Sequence, residues 1–592
     1  ANTTANYNTA VGSDALAANT TGHSNIAIGY QTLSDNTTGN NSTAVGYHAL
    51  KVSTAGGNSA FGQNAMLSTT TGNANTAIGQ NALADNTTGG NNTSLGVSAL
   101  RANTTASNNV AIGYESLRYN TTGTSNTAVG SFALDANTTA DNNTALGYQA
   151  LSANTTGASN TAVGKSALGT CTTGTQNVAV GHNALHFSTD ASYSTALGYQ
   201  ALFANTTGDY NTAVGKGALA ANTTADNNTA VGEAALAANT TGEWNNAVGK
   251  DALAANTTGA YCVAVGKGAL QANTTANYNI AVGDYALKSN TTGTQNVAIG
   301  HAALEDYNVS DCIALGYGAA RDNHSIRLLA IGYNAGLNNN AWPNTFIGYG
   351  SGGTSADITG DQNTAVGYLT LEDITTGDGN TIMGYTAGQN ITTGTANTYI
   401  GSRAGLTPTT GDNNTAIGKD SGYDLTTGSN NTFIGYQAGV THAPSGSVTT
   451  GSNIVCLGNN SVSDLYCADT SISSSDARDK TDVEDFKHGL SWITELRPVT
   501  YRWDRRTWYG TDENPKGTPD GSKKRDRIHI GFLAQEAIEV EKKHGYADKK
   551  DNMLIANQDE DVNDPSYGYK YERLVPVLVN AIKELSAQNE AL

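Results

Sequence analysis

One phrase recurs down most of the chain: Asn-Thr-Ala-Val-Gly, two variable residues, Ala-Leu, then Asn-Thr-Thr-Gly. Its glycine falls at 27 places, from Gly12, Gly29 and Gly46 to Gly418, Gly435 and Gly458. The step is 17 residues almost throughout, 16 at a few places, 19 once and 23 at the last. A repeat at fixed period means that one small unit is stacked many times. Seventeen residues is too short for a helix pair or a propeller blade. It suits one coil of a β-solenoid, made of two short strands and two turns. Asn-Thr-Ala-Val alternates as a strand does. Asn-Thr-Thr-Gly and the residues after the repeat glycine carry turn signals. No proline occurs before Pro343, as expected when nearly every strand lies between two others and must donate to both ladders. Coils stacked at the inter-strand spacing of about 4.8 Å would make a rod of roughly 130 Å.

A coil this short encloses a narrow lumen, suited to the small Ala and Gly. The Val/Ile and the Leu of each repeat are then expected outside, as an apolar stripe along the rod. Such a stripe would aggregate if left bare, and packing identical copies around an axis covers it. The sequence therefore predicts a parallel homotrimer. Asn at the repeat start (Asn8, Asn25, Asn58, Asn75, Asn109, Asn126 and onward) is expected to stack as a ladder of side-chain amides. Cys262 and Cys312 occupy the same slot and read as small inward residues, because nothing nearby supplies the electropositive, accessible setting of a reactive thiol.

Charge divides the chain. Residues 1–474 hold 12 Lys and Arg against 27 Asp and Glu, and residues 475–592 hold 19 against 23. The long acidic part has no basic patch for nucleic acid. No run of 18 apolar residues makes a membrane span. The five cysteines (Cys171, Cys262, Cys312, Cys456, Cys467) form no CxxC pair, and the ten histidines are scattered, so no metal and no cofactor is expected. Asn-Thr-Thr matches a glycosylation acceptor but reads more simply as turn chemistry. The chain opens on Ala1, without Met, so its true N-terminus is left open.

The register loosens at 320–325, 338–343, 351–361 and 441–451. These breaks are either recognition loops on a rigid shaft or changes of coil geometry. Tyrosine often follows the repeat glycine, and equivalent positions in a solenoid line up. Such rows could stack on sugar rings or simply pack ring on ring. The candidate binding residues are Tyr317, Tyr333, Trp342, Tyr349 and Tyr368. The organisation expected is a regular β-solenoid shaft over 1–300, less regular repeats with insertions over 301–460, a linker over 461–474 and a distinct domain over 475–592.

After Ser475 the texture is α+β. Residues 489–503 predict a helix then a strand, and 528–536 a strand then a helix. The last helix starts near Tyr571 and carries Leu578, Ile582, Leu585, Asn589 and Leu592. Their spacing of 4, 3, 4 and 3 is a coiled-coil seam, with Asn589 as a register-setter.

The repeat resembles the head repeats of trimeric bacterial adhesins, and more closely the shafts of bacteriophage tail fibres carrying Asn-Thr-Ala-x-Gly-Tyr motifs, over about residues 1–460. Four blocks in order, at 475–480, 496–501, 531–536 and 571–585, resemble the intramolecular chaperone domain first known from phage endosialidases. The resemblance implies a mainly β fold: a trimeric β-solenoid followed by a small α+β chaperone domain ending in a coiled-coil helix. It implies that the domain trimerises, templates the preceding β-structure and then cuts itself off. Ser475 would be the nucleophile, attacking the carbonyl of Ser474, with Lys480 as its base in a Ser-Lys arrangement. An amine near its free pKa of about 10.4 is a poor base at neutral pH, so Lys480 would have to be partly buried. This serine endopeptidase would turn over once. The resemblance further implies a homotrimer in the virion tail that recognises a host-surface polysaccharide or other receptor, and that joins other tail or baseplate proteins through a segment before Ala1. The alternatives are a bacterial trimeric adhesin or a polysaccharide-degrading tail spike, although no paired-carboxylate cleft is apparent.

Overall fold

The computed structural model describes residues 4–353, 357–463, 483–509, 517–549, 552–558 and 567–591. The chain forms two compact units, one of residues 1–438 with 448–457, the other of 439–447 with 458–592. The first is a mainly β, parallel solenoid of 17-residue coils. Each coil contributes one three-residue strand, from β1 (Thr9–Val11) to β27 (Val455–Leu457). Each strand pairs in parallel with that of the next coil, as where Thr212, Ala213 and Val214 face Thr229, Ala230 and Val231. The ladder survives every irregular step. Val297 still faces Ile313 across a 16-residue coil, Thr345 faces Thr364 across 19 residues, and Thr432 faces Val455 across 23.

Two expectations are corrected. Among the described residues each coil has one strand, not two. The second side keeps its inter-coil hydrogen bonds, Leu219 N–H to Ala235 O and Ala221 N–H to Ala237 O, both 3.0 Å. It is not extended, because its backbone repeatedly enters the left-handed region, as at Ala234 (φ 57°) and Leu236 (φ 51°). That conformation also reverses the expected place of Leu. Leu33, Leu50, Leu83 and their equivalents to Leu287 are fully buried inside the coil, beside the strand-central alanine. The continuous apolar row outside is the third strand residue, apolar in all 27 strands from Val11 and Ile28 to Ile434 and Leu457. Many of its members are around two-fifths exposed.

The glycine after each strand admits no substitute. Gly215 sits at φ +135°, and a Cβ there would stand 2.4 Å from Gly232 O in the next coil. The coils approach closely here, backbone on backbone, which explains why this residue is the fixed point of the repeat.

Inside the lumen run two asparagine ladders where one was expected. In the first, Asn228 N–H donates to Asn211 Oδ1 (3.0 Å) while Asn228 Nδ2 donates to Gly242 O (2.9 Å). These amides thus tie backbone to backbone rather than only to one another. The second ladder is made by the Asn of Asn-Thr-Thr. Asn239 Nδ2 donates to Asn222 Oδ1 (3.0 Å) and to the same Gly242 O (2.9 Å). Both ladders are buried throughout, as polar groups without water must be when satisfied. In the folded coil the asparagine of Asn-Thr-Thr is therefore closed to modification.

After about residue 336 the lumen changes chemistry. The buried Leu gives way to Gly336, Gly352, Gly388, Gly405 and Gly422, while the strand-central Ala becomes Phe346, Ile382, Tyr399 or Phe433. The bulk has crossed the lumen: a Cβ on Gly405 would lie 2.4 Å from the Tyr399 ring, and one on Gly352 2.2 Å from Phe346. The second ladder turns apolar as well, through Ile374, Ile391, Leu425 and Val448, all buried. The segments 320–325 and 338–343 stay within the coil. Asn323 and Asn339 remain buried and bonded to each other, Nδ2 to Oδ1 at 3.1 Å.

The second unit is small and α+β. It contains α1 (Leu490–Glu495), β28 (Val499–Tyr501), β29 (His529–Gly531), α2 (Ala534–Lys543), β30 (Ala556–Gln558), β31 (Tyr567–Tyr569) and α3 (Leu574–Glu590). β28 pairs antiparallel with β29, and β30 with β31. Trp492, Ile538, Val540, Ile555, Leu574 and Val577 form its core. Glu541, fully buried, accepts the backbone N–H of Leu554, Ile555 and Ala556 at 2.7, 2.8 and 2.8 Å. One carboxylate thereby fixes the entry to β30 on α2.

Candidate functional site

The repeat brings residues of one slot into line, and two aromatic rows result. The first follows the repeat glycine. His301, Tyr317, Tyr333, Tyr349, Tyr368 and Tyr385 stack face to face, with centroids 5.0, 5.3, 4.9, 5.2 and 5.3 Å apart and interplanar angles of 7–16°. The spacing is close to that between strands, so the backbone ladder itself sets the stack. Elsewhere the row is broken into pairs such as Tyr30 with Tyr47 at 5.4 Å. Ring-on-ring packing therefore exists, yet each tyrosine of the column stays about half exposed.

Trp342 does not join this column. It precedes its strand (Thr345–Ile347), whereas Tyr349 follows it. Half-exposed Trp342 packs instead under the Arg327 guanidinium, 5.5 Å from its ring, and its N–H donates to Asp361 Oδ1 at 2.9 Å. Of the five candidate binding residues the structure thus aligns four.

The second row escaped the sequence reading. Tyr193, Tyr210, Trp244, Tyr261 and Tyr278 occupy the position just before the ladder Asn or its replacement, each in the left-handed conformation and each around half exposed. Tyr193 stacks on Tyr210 (4.9 Å, 4°) and Tyr261 on Tyr278 (5.3 Å, 11°). Aligning the repeats on this slot would have revealed them. The preceding slot is acidic, with Asp209, Asp226 and Glu243. There Asp209 N–H donates to Asp226 Oδ1 at 2.7 Å, so that carboxylate is engaged with the neighbouring coil.

Three cysteines, Cys171, Cys262 and Cys312, occupy ladder slots. Cys262 Sγ bonds Ala276 O at 3.4 Å and Cys171 Sγ bonds Gly174 O at 3.7 Å. Burial pushes both thiols up to about 11, away from the thiolate. Among the described residues no group of His, Cys, Asp and Glu is placed to hold a metal ion, and no helix is long and apolar enough to cross a membrane.

Ser474, Ser475 and Lys480 lie outside the described residues, as does Leu592. The rest of the final helix is described. α3 buries Leu574, Val577 and Ala581 against its own unit. The expected seam lies on another face: Leu578, Ile582 and Leu585 are 41, 66 and 56% exposed, joined there by Val575 and Val579. These residues form an exposed aliphatic seam along a 17-residue helix.

Residues 475–546 match the family model described as chaperone of endosialidase. No curated protein matches the chain in sequence.

Proposed function

We propose that the chain is a fibre or spike protein of a phage tail: a homotrimeric β-solenoid whose surface recognises a host polysaccharide or other receptor, folded by a C-terminal chaperone that releases itself between Ser474 and Ser475. The observation that carries this reading is where the family match begins. It opens at Ser475, the residue assigned as nucleophile, a short way past the last coil at β27. The boundary between polypeptide textures, the start of the chaperone match and the scissile bond then coincide.

Two unpartnered apolar surfaces support association into a trimer. One is the row of third strand residues along the solenoid, the other the seam of α3. A row that runs from the first described coil to the last has no register of its own, because every coil offers the next the same face. The seam of α3, with Asn589 on it, would align three chains before the coils zip. Cleavage afterwards would make unfolding hard to reverse, a kinetic stability rather than an equilibrium one. The stacked tyrosines from Tyr317 to Tyr385 are the receptor surface of this reading: a flat, half-exposed aromatic strip suits the apolar faces of sugar rings.

Intact mass of the purified protein, wild type beside Ser475→Ala and Lys480→Ala, tests the processing. The expected outcome is a split between Ser474 and Ser475 in the wild type and an uncut chain in both variants. An uncut wild type would sink the self-release and leave the domain a permanent cap.

A further inference from the structure

The solenoid is acidic, but the second unit gathers cations on one hairpin. Residues 501–530 hold eight Lys and Arg against five Asp and Glu. β28 and β29 set Tyr501 opposite His529. Beyond them the register shifts by two residues, since Arg525 N–H donates to Trp503 O at 2.9 Å, which sets Arg525 across from Trp503. Arg505 and Arg525 line one cavity, close enough for the charge of one to act on the other. Each rests on an indole. The Arg505 guanidinium lies 4.5 Å from the Trp503 ring, and that of Arg525 lies 5.0 Å from the Trp508 ring. Trp508 is anchored in turn, its Nε1–H donating to Asn460 O at 3.3 Å. These groups, with Val462 and His529, line a cavity of about 260 Å³.

Two like charges held at one cavity repel. Burial first, and the Arg525 charge second, hold the Arg505 guanidinium below its ordinary value, with no carboxylate among the causes. The indoles fix both guanidiniums while leaving their N–H groups to bond in their own plane. Such an arrangement is stabilised when an anion joins it.

We propose that this cavity is an oxyanion site, taking a carboxylate or phosphate group between Arg505 and Arg525, with Trp503 and Trp508 walling in whatever carries it. The group has two possible sources: an aspartate or glutamate side chain of an acidic polypeptide, or a small phosphorylated molecule. The tryptophan fluorescence of the full chain, titrated with inorganic phosphate and separately with N-acetylaspartate amide, tests this, with sodium chloride at equal ionic strength as the control for screening. The site predicts a saturable change with at least one of the two and none with chloride. Affinity should fall by about tenfold or more in Arg505→Gln and Arg525→Gln, which each lose a charge-assisted pair, and hold in Lys523→Gln. Arg505→Lys keeps the charge but loses the planar fork, and should weaken binding with the fold intact by circular dichroism. Saturation by phosphate alone assigns the phosphorylated molecule, and saturation by the aspartate amide assigns the acidic chain. A response that matches chloride, or one unchanged in Arg505→Gln, Arg505→Lys and Arg525→Gln, overturns the proposal.

Discussion

The early and late coils share a backbone and differ in what fills it. Before about residue 336 the lumen takes Leu from the turn and Ala from the strand, and two ladders of asparagine run beside them. After it, the turn gives Gly, four strands give Phe, Ile or Tyr, and the second ladder is aliphatic. Coil 22 returns to the early arrangement, Ala365 with Leu371. Occupancy of the lumen is therefore conserved while its source is not, as close packing demands. The turn conformation is kept too: Gly405 holds φ 51°, the value at Leu219 and Leu236. The early coils hold a leucine in a conformation that costs an L-residue about 1 kcal/mol or more, and the late coils relieve it with glycine.

If that exchange is real, transplanting it should work. Tyr399→Ala should cost about 3–5 kcal/mol locally through the cavity it leaves. Gly405→Leu alone should cost about 1–3 kcal/mol or more by overpacking. The double variant should recover a substantial part of the summed loss, with a coupling of about 2–3 kcal/mol. Hydrogen exchange of the ladder amides in residues 396–420 is the measure, because a solenoid opens coil by coil. Additive losses would break the comparison.

A smaller effect separates the ladders. Asn239→Leu strands Asn222 Oδ1 and leaves Asn256 Nδ2 with Gly259 O alone, and should cost about 1–3 kcal/mol. Leu425→Asn, its mirror among aliphatic neighbours, should cost a similar amount by burying an amide short of partners. Exchange in the two coils checks both, and tolerance of either would mean that the two lumens are interchangeable.

The smallest effect is electrostatic. Asp135, partly buried near Arg118 and Glu115, is raised from 3.8 to about 6, chiefly by burial, and Asp306 likewise rises to about 6. The folded coil thus holds these protons more tightly than the unfolded chain. Stability present at low pH is lost as pH rises through about 6, so acidification from pH 7 to 5 should raise the melting temperature. Asp135→Asn should be more stable than wild type at pH 7 and show a shallower pH dependence. An equal slope in both would remove Asp135 from the account.

The repeat glycine made the coil, its length and its parallel stacking legible, because a Cβ at Gly215 or Gly232 is forbidden by backbone alone. The helix–strand and strand–helix order around Trp492 and Gly531 was legible from periodicity. Which way Leu points was not, since strand alternation places it outside and only a run of positive φ turns it in. The second asparagine ladder hid inside a motif that also reads as a turn. The tyrosine column was legible at Tyr317, Tyr333, Tyr349 and Tyr368 from the period, while Trp342 shared only their neighbourhood in sequence. The meeting of Arg505 and Arg525 at one cavity joins segments some twenty residues apart, which composition does not encode.

The ladder's indifference to step length has an evolutionary reading. Coils of 16, 17, 19 and 23 residues all keep their strands in register, so each repeat is a unit of length and little else. An in-frame duplication lengthens the solenoid by about 4.8 Å and needs no compensating change, since the new coil meets its neighbours as they meet each other. Reach could then drift freely from one lineage to the next, like the marks on a ruler, while the unit that follows the last coil stays the same.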